Sequence, residues 1–228
     1  MPLGSPNYAP KGSKKWIQIL VNKKPELFNT KIGEAAKFSK NRIIWVSPLA
    51  SDKFQEYWDN GFLNVLKITK LKVPLHEFWP PGGAHWDALG RGSSDEIFLV
   101  EAKSHIPELV SSCAAKDEES IQKIDESFLK TKQFFGAPIE VDWKKRFYQY
   151  ANRLAYLYWM DELNEIPTYL INVYFVNDKA QNGPKDISEW KGALTLLYSY
   201  FGLKKNNKLQ EHILDIFLDV NELPSCCS

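Results

Sequence analysis

The sequence predicts an α/β domain built on a mixed central sheet flanked by helices. Two observations carry that expectation. Periodic segments run in the order helix, three strands, helices, strand, helix, strand. One strand, at residues 97–100, reads Ile-Phe-Leu-Val and is apolar on both faces, as a strand covered on both sides must be.

The first helix spans 29–40, where Ile32, Ala35, Ala36 and Phe38 recur at near-helical spacing on a segment that also carries Glu34. A second helix is expected over 52–60. Residues 62–73 are β-branched and aliphatic and read as a strand that stops at Pro74. The Pro/Gly-rich loop that follows offers the rings of Trp79 and Trp86 either for stacking on bases or for packing the loop down.

Residues 86–90 form a short strand that turns through Gly90, Arg91, Gly92, Ser93 and Ser94 into a second strand over 96–103. Ile121, Ile124, Phe128 and Phe135 make a helical stripe that closes at Gly136. Phe147, Tyr150, Leu154 and Leu157 make another within 143–164. A strand over 168–176, a helix over 188–201 stopped by Gly202, and a strand over 213–220 complete the chain.

At 228 residues and 44% hydrophobic content, one sizeable core is affordable. Residues 1–13, rich in Pro, Gly and Ser, read as a flexible N-terminal segment of the kind a cloning scar leaves, and 14–228 as a single domain. Twenty-nine Lys and Arg against 28 Asp and Glu leave a net charge of +1, so only local clustering would attract a polyanion. Cys113, Cys226 and Cys227 make neither a disulfide framework nor a zinc pattern, and no run approaches the roughly 20 apolar residues of a membrane span. A cytoplasmic protein without membrane insertion is expected.

Glycine-rich phosphate loops, a nucleophile elbow and a serine or cysteine triad are all missing from the sequence. What remains is an acid–x–Lys tripeptide. It occurs three times, as Glu101-Ala102-Lys103, Asp142-Trp143-Lys144 and Glu189-Trp190-Lys191. Only the first ends a continuous apolar strand and has an aspartate, Asp87, on the strand expected to pair beside it. Alternation puts Glu101 and Lys103 on one face. Two carboxylates and the carbonyl of Ala102 then offer the hard oxygen ligands that Mg²⁺, or Mn²⁺, takes. Near such a cation, Lys103 would orient a water or stabilise charge growing on phosphorus.

His85-Trp86-Asp87-Ala88-Leu89 followed by Phe98-Leu99-Val100-Glu101-Ala102-Lys103 resembles the PD-(D/E)xK nuclease superfamily, whose fold is the restriction-endonuclease-like one with core order αβββαβ. The resemblance implies a metal-dependent nuclease, acting on DNA in preference to RNA, in which Asp87 and Glu101 bind the metal and Lys103 assists hydrolysis. It also implies an acid from the first core helix, for which Glu34 is the candidate and Glu56 the second. Two features depart from the family pattern. Trp86 stands where a proline is usual, and the Gln-x-x-x-Tyr motif of one branch reads Gln149-Tyr150-Ala151-Asn152-Arg153. His105, Gln149 and Arg153 are candidate substrate contacts, with Lys144, Lys145 and Arg146 adding positive charge nearby. The competing expectation is a nuclease-fold protein without turnover, serving as a nucleic-acid-binding or interaction module. Homo-oligomerisation is left open.

Overall fold

The computed structural model describes residues 7–37, 43–203 and 207–224, which leaves Phe38, Cys226 and Cys227 outside the described residues. It is an α/β fold around an open five-stranded mixed sheet of order β1-β2-β3-β4-β5.

Helix α1 (Gly12–Lys23) begins inside the segment set aside as flexible. Ala9 N–H donates to Gln18 Oε1 at 2.8 Å and the Tyr8 ring packs on Phe54, so the chain is tied down before the helix starts. Helix α2 (Pro25–Ala36) takes the place of the expected 29–40 helix; Pro25, with its fixed φ and no N–H to satisfy, starts it earlier. Lys37 ends it in the left-handed region.

Strand β1 (Ile44–Ser47) was not foreseen, because four residues are too few to show a period. It pairs antiparallel with β2, with an irregularity between Trp45 and Ser47. It supplies the first of the three strands, a place the sequence assigned to 62–73. That assignment is corrected: helix α3 (Asp59–Val65) occupies the start of the segment, and Phe62, Leu63 and Leu66 meet the core at i, i+1 and i+4. The helix expected over 52–60 is likewise absent. That stretch is a 3₁₀ turn (Ala50–Asp52) followed by extended chain, with Tyr57 bridging to Trp86. Helix α4 (Leu75–Phe78) is a single turn.

Strands β2 (Ala88–Arg91) and β3 (Ile97–Lys103) form the hairpin, in antiparallel register Ala88↔Val100 and Leu89↔Leu99. Every residue of β3 is buried. Helix α5 (Glu118–Phe135) is capped by Asp117, which accepts from Ser120 N–H at 2.8 Å, and closes at Gly136 with φ +64°. Helix α6 (Tyr148–Leu157) starts later than the apolar stripe suggested and ends in a π-helical turn (Tyr158–Leu163). Strand β4 (Thr168–Val176), helix α7 (Ile187–Phe201) and strand β5 (Ile213–Asp219) follow as expected. β4 and β5 run parallel to β3.

The sheet separates two apolar clusters. On one side Phe98, Val100, Ala102, Ile171 and Val173 pack with α1 and α2; on the other Leu99, Leu170 and Tyr174 pack with α3, α5, α6 and α7. Even-numbered residues of β3 thus take the first side and odd-numbered ones the second. Glu101 and Lys103 therefore face α6. No helix among the described residues is long and apolar enough to cross a membrane.

Candidate active site

The β2–β3 register, carried one residue beyond Ala88↔Val100, brings Asp87 beside Glu101. Asp87 N–H donates to the Val100 carbonyl at 3.1 Å, and Asp87 Oδ2 accepts from Ala102 N–H at 2.7 Å. Lys103 Nζ sits 2.5 Å from Glu101 Oε1 and donates to Gln149 Oε1 at 2.8 Å. Arg153, one helical turn after Gln149 on α6, donates through Nε to Glu101 Oε2 at 2.7 Å. Its Nη2 reaches the His85 carbonyl at 2.6 Å, and its guanidinium lies 4.7 Å from the Trp86 ring.

Glu101, Lys103 and Arg153 are 7%, 9% and 4% exposed, so these charges interact across protein rather than bulk water. Burial alone would raise the Glu101 pKa; Arg153 and Lys103 outweigh it and hold the carboxyl below its usual value. Burial alone would lower Lys103; Glu101 and Asp87 outweigh it and hold the amine above its usual value. Asp87 goes the other way. Burial first, then the Glu101 charge, push it up to about 7. The cluster thus holds a committed carboxylate, a committed ammonium, and an aspartate that ionises near neutrality.

Three sequence candidates, Asp87, Glu101 and Lys103, come together, and Gln149 and Arg153 join them. Glu34 does not. It lies on α2 with its side chain 64% exposed, 3.9 Å from Lys31, because α2 covers the opposite side of the sheet. The acid whose charge does bear on Asp87 is Glu56, which arrives from the extended chain before α3 rather than from a helix and pairs with Lys14 at 3.0 Å. His105 is turned to other work: its Nδ1 pairs with Glu108, which also accepts from Ser104 Oγ at 3.1 Å and Ser13 Oγ at 3.0 Å. Trp79 and Trp86 are buried and pack the loop down.

Sequence reasoning missed Asn172 and Tyr174. With Tyr150 and Arg153 they enclose a cavity of about 20 Å³ against Glu101 and Lys103, room for about one water molecule. The parallel register aligns Glu101, Asn172 and Asp215 across three strands; Asn172 donates to Asp215 Oδ1 at 3.1 Å, and Tyr198 donates its hydroxyl to Asp215. A lone Asn inside the apolar run of β4 was the available signal. An open cleft of about 290 Å³, lined by Gly83, His85, Ser111, Gln149, Asn152 and Arg153, adjoins the cluster through its last three polar residues.

Among the described residues no three His, Cys, Asp or Glu side chains gather into a metal-holding group. A cation at Asp87 and Glu101 therefore needs main-chain oxygen and water as further ligands. Ala102 meets the first need. Both main-chain groups of a strand residue face the same neighbouring strand, so with its N–H on Asp87 its carbonyl opens to that edge as well. No protein-family model, curated protein or solved structure matches this chain.

Proposed function

We propose that the chain is a metal-dependent nuclease that hydrolyses phosphodiester bonds, in DNA by preference to RNA, with Mg²⁺ or Mn²⁺ held by Asp87, Glu101 and the Ala102 carbonyl. The observation that carries this reading is the meeting of Asp87, Glu101 and Lys103 at the end of the buried strand β3, beside an open cleft. The order α2, β1, β2, β3, α5, α6, β4, with α3 and α4 inserted between β1 and β2, is compatible with the αβββαβ core of the superfamily that the sequence resembles.

The chemistry of the donor set fits a divalent cation. Two neighbouring carboxylates, one driven toward protonation, are relieved by a shared positive charge. Bound there, a cation would lower the pKa of a ligated water and polarise a phosphoryl oxygen. The side chains have separate tasks. Lys103 stays protonated, so it stabilises charge on the phosphoryl group rather than taking a proton from water. Gln149 holds Lys103 in place, and Arg153 holds Glu101 while presenting positive charge to the cleft. Asp87, raised to about 7, would be held ionised as a ligand with a cation bound beside it.

The test is cleavage of single- and double-stranded DNA and RNA with Mg²⁺, Mn²⁺ or chelator, by wild type, Asp87→Asn and Lys103→Met. Metal-dependent cutting lost in both variants is expected; cutting that survives both refutes the assignment. One observation favours a second reading, a nuclease-fold binding module without turnover: both Glu101 oxygens are engaged, by Lys103 and by Arg153. Under that reading wild type binds nucleic acid and cuts none.

A further inference from the structure

We infer that Trp58 and His85 form a stacking platform for an unpaired base, so that the site takes single-stranded or frayed nucleic acid rather than intact duplex. This rests on the nuclease reading above and names its substrate class. Of the eight tryptophans, all among the described residues, only Trp58 is exposed, at 41%. Its ring lies flat on the exposed His85, with centroids 4.5 Å apart and planes 11° from parallel. An aromatic surface left open to water in this geometry has the shape a nucleobase stacks on.

The platform stands next to the chemistry. His85 lines the open cleft together with Gln149 and Arg153, its carbonyl accepts from Arg153, and it is two residues from Asp87. The Tyr57↔Trp86 bridge sets Trp58 opposite His85 and Glu56 opposite Asp87, so one pair of segments carries both platform and acids. The platform is also fixed before any ligand arrives. Asp59, next to Trp58, accepts from Gly82 N–H at 2.9 Å and Gly83 N–H at 3.0 Å, which pins the His85 loop to the start of α3.

The cleft's size points the same way. At about 290 Å³ it lies at the small end of the range for pockets that enclose a small molecule, roughly 300–1,000 Å³. That is the scale of a single nucleotide. Ser111, Asn152 and Arg153 supply hydrogen-bonding groups for sugar and phosphate while the base extends the Trp58–His85 stack.

The experiment measures anisotropy of a labelled single-stranded oligonucleotide, its duplex and a fully abasic strand, in chelator, with wild type, Trp58→Ala, Trp58→Phe and His85→Ala. Wild type is expected to prefer the single strand over both other probes. Trp58→Ala should weaken single-strand binding about 5- to 150-fold while Trp58→Phe retains most of it. If Trp58→Ala has lost its folded circular-dichroism spectrum, His85→Ala carries the same expectation. Single-strand binding unchanged in both alanine variants overturns the platform, as does equal affinity for the abasic strand. If those variants bind normally and still cut DNA with Mg²⁺, the platform falls and the nuclease reading stands. If wild type neither binds nor cuts any nucleic acid, both fall.

Discussion

Glu101 is the hinge of the buried charge cluster, and replacing it with alanine leaves Lys103 and Arg153 without their shared counter-charge. Both cations are less than 10% exposed, and Glu101 is their common partner at 2.5 and 2.7 Å. Removing one side of a buried pair typically costs about 3–5 kcal/mol, because the remaining charge stays desolvated. Against a typical total of about 5–15 kcal/mol, that is a large share. With a urea m-value of about 2–3 kcal/mol/M, the unfolding midpoint followed by tryptophan fluorescence should fall by about 1–2.5 M. Adding Arg153→Met removes one stranded charge, so the double variant should lose less than the sum of the single losses, with a coupling of at least about 1.5 kcal/mol. A Glu101→Ala midpoint within about 1 kcal/mol of wild type would refute this, since that is how solvent-screened pairs behave. It follows that cleavage assays are cleaner with Asp87→Asn than with Glu101→Ala.

Asp87→Asn should stabilise the metal-free protein by about 2–4 kcal/mol at pH 8 and by only about 1–2 kcal/mol at pH 5. The sign follows from a carboxyl raised from 3.8 to about 7: the folded state holds the extra proton, so wild-type stability falls as pH rises through that window, and the amide removes the fall. Urea midpoints at the two pH values decide it, and a destabilised Asp87→Asn at pH 8 contradicts it. His212 titrates in the same sense, but through a favourable contact. Its hydrogen bond to Asp161 at 3.0 Å raises it above 6.5, so its contribution of about 0.5–1 kcal/mol is present below pH 6.5 and lost as pH rises past the folded value. His212→Asn should therefore lower the thermal midpoint more at pH 5.5 than at pH 8.5; an equal loss at both counts against the pairing. Gly83→Ala places a methyl against the Tyr156 hydroxyl and should cost about 1–3 kcal/mol in urea unfolding, whereas an unchanged midpoint shows that the loop yields.

Much of the sheet was legible because long buried strands and capped helices announce themselves. The run 168–176, the helix closed by Gly136 and the helix closed by Gly202 each carry period and stop signal together. The first third was not. β1 is too short to show alternation, and the 62–73 run mixes residues of α3 with irregular chain whose β-branched side chains, Ile68 and Val73, merely lean on the core. That error misplaced the helical acid as well. Glu34 sits on a good helix that covers the wrong side of the sheet, while Glu56 reaches Asp87 through the Tyr57↔Trp86 bridge, a pairing with no local sequence mark. The core of the candidate site was readable because Asp87, Glu101 and Lys103 belong to one hairpin, where register is local. Arg153 and Gln149 could be nominated from helical spacing, but their bonds to Glu101 and Lys103 depend on how α6 crosses β3.

Isothermal titration of Mg²⁺ into wild type, Asp87→Asn and Lys103→Met tests the proposed metal centre most directly. The expected result is saturable binding by wild type, at least about tenfold weaker binding by Asp87→Asn, and near-wild-type binding by Lys103→Met, which lacks a ligand oxygen. Wild-type heats indistinguishable from dilution, or equal affinity in Asp87→Asn, would mean that these carboxylates hold no cation.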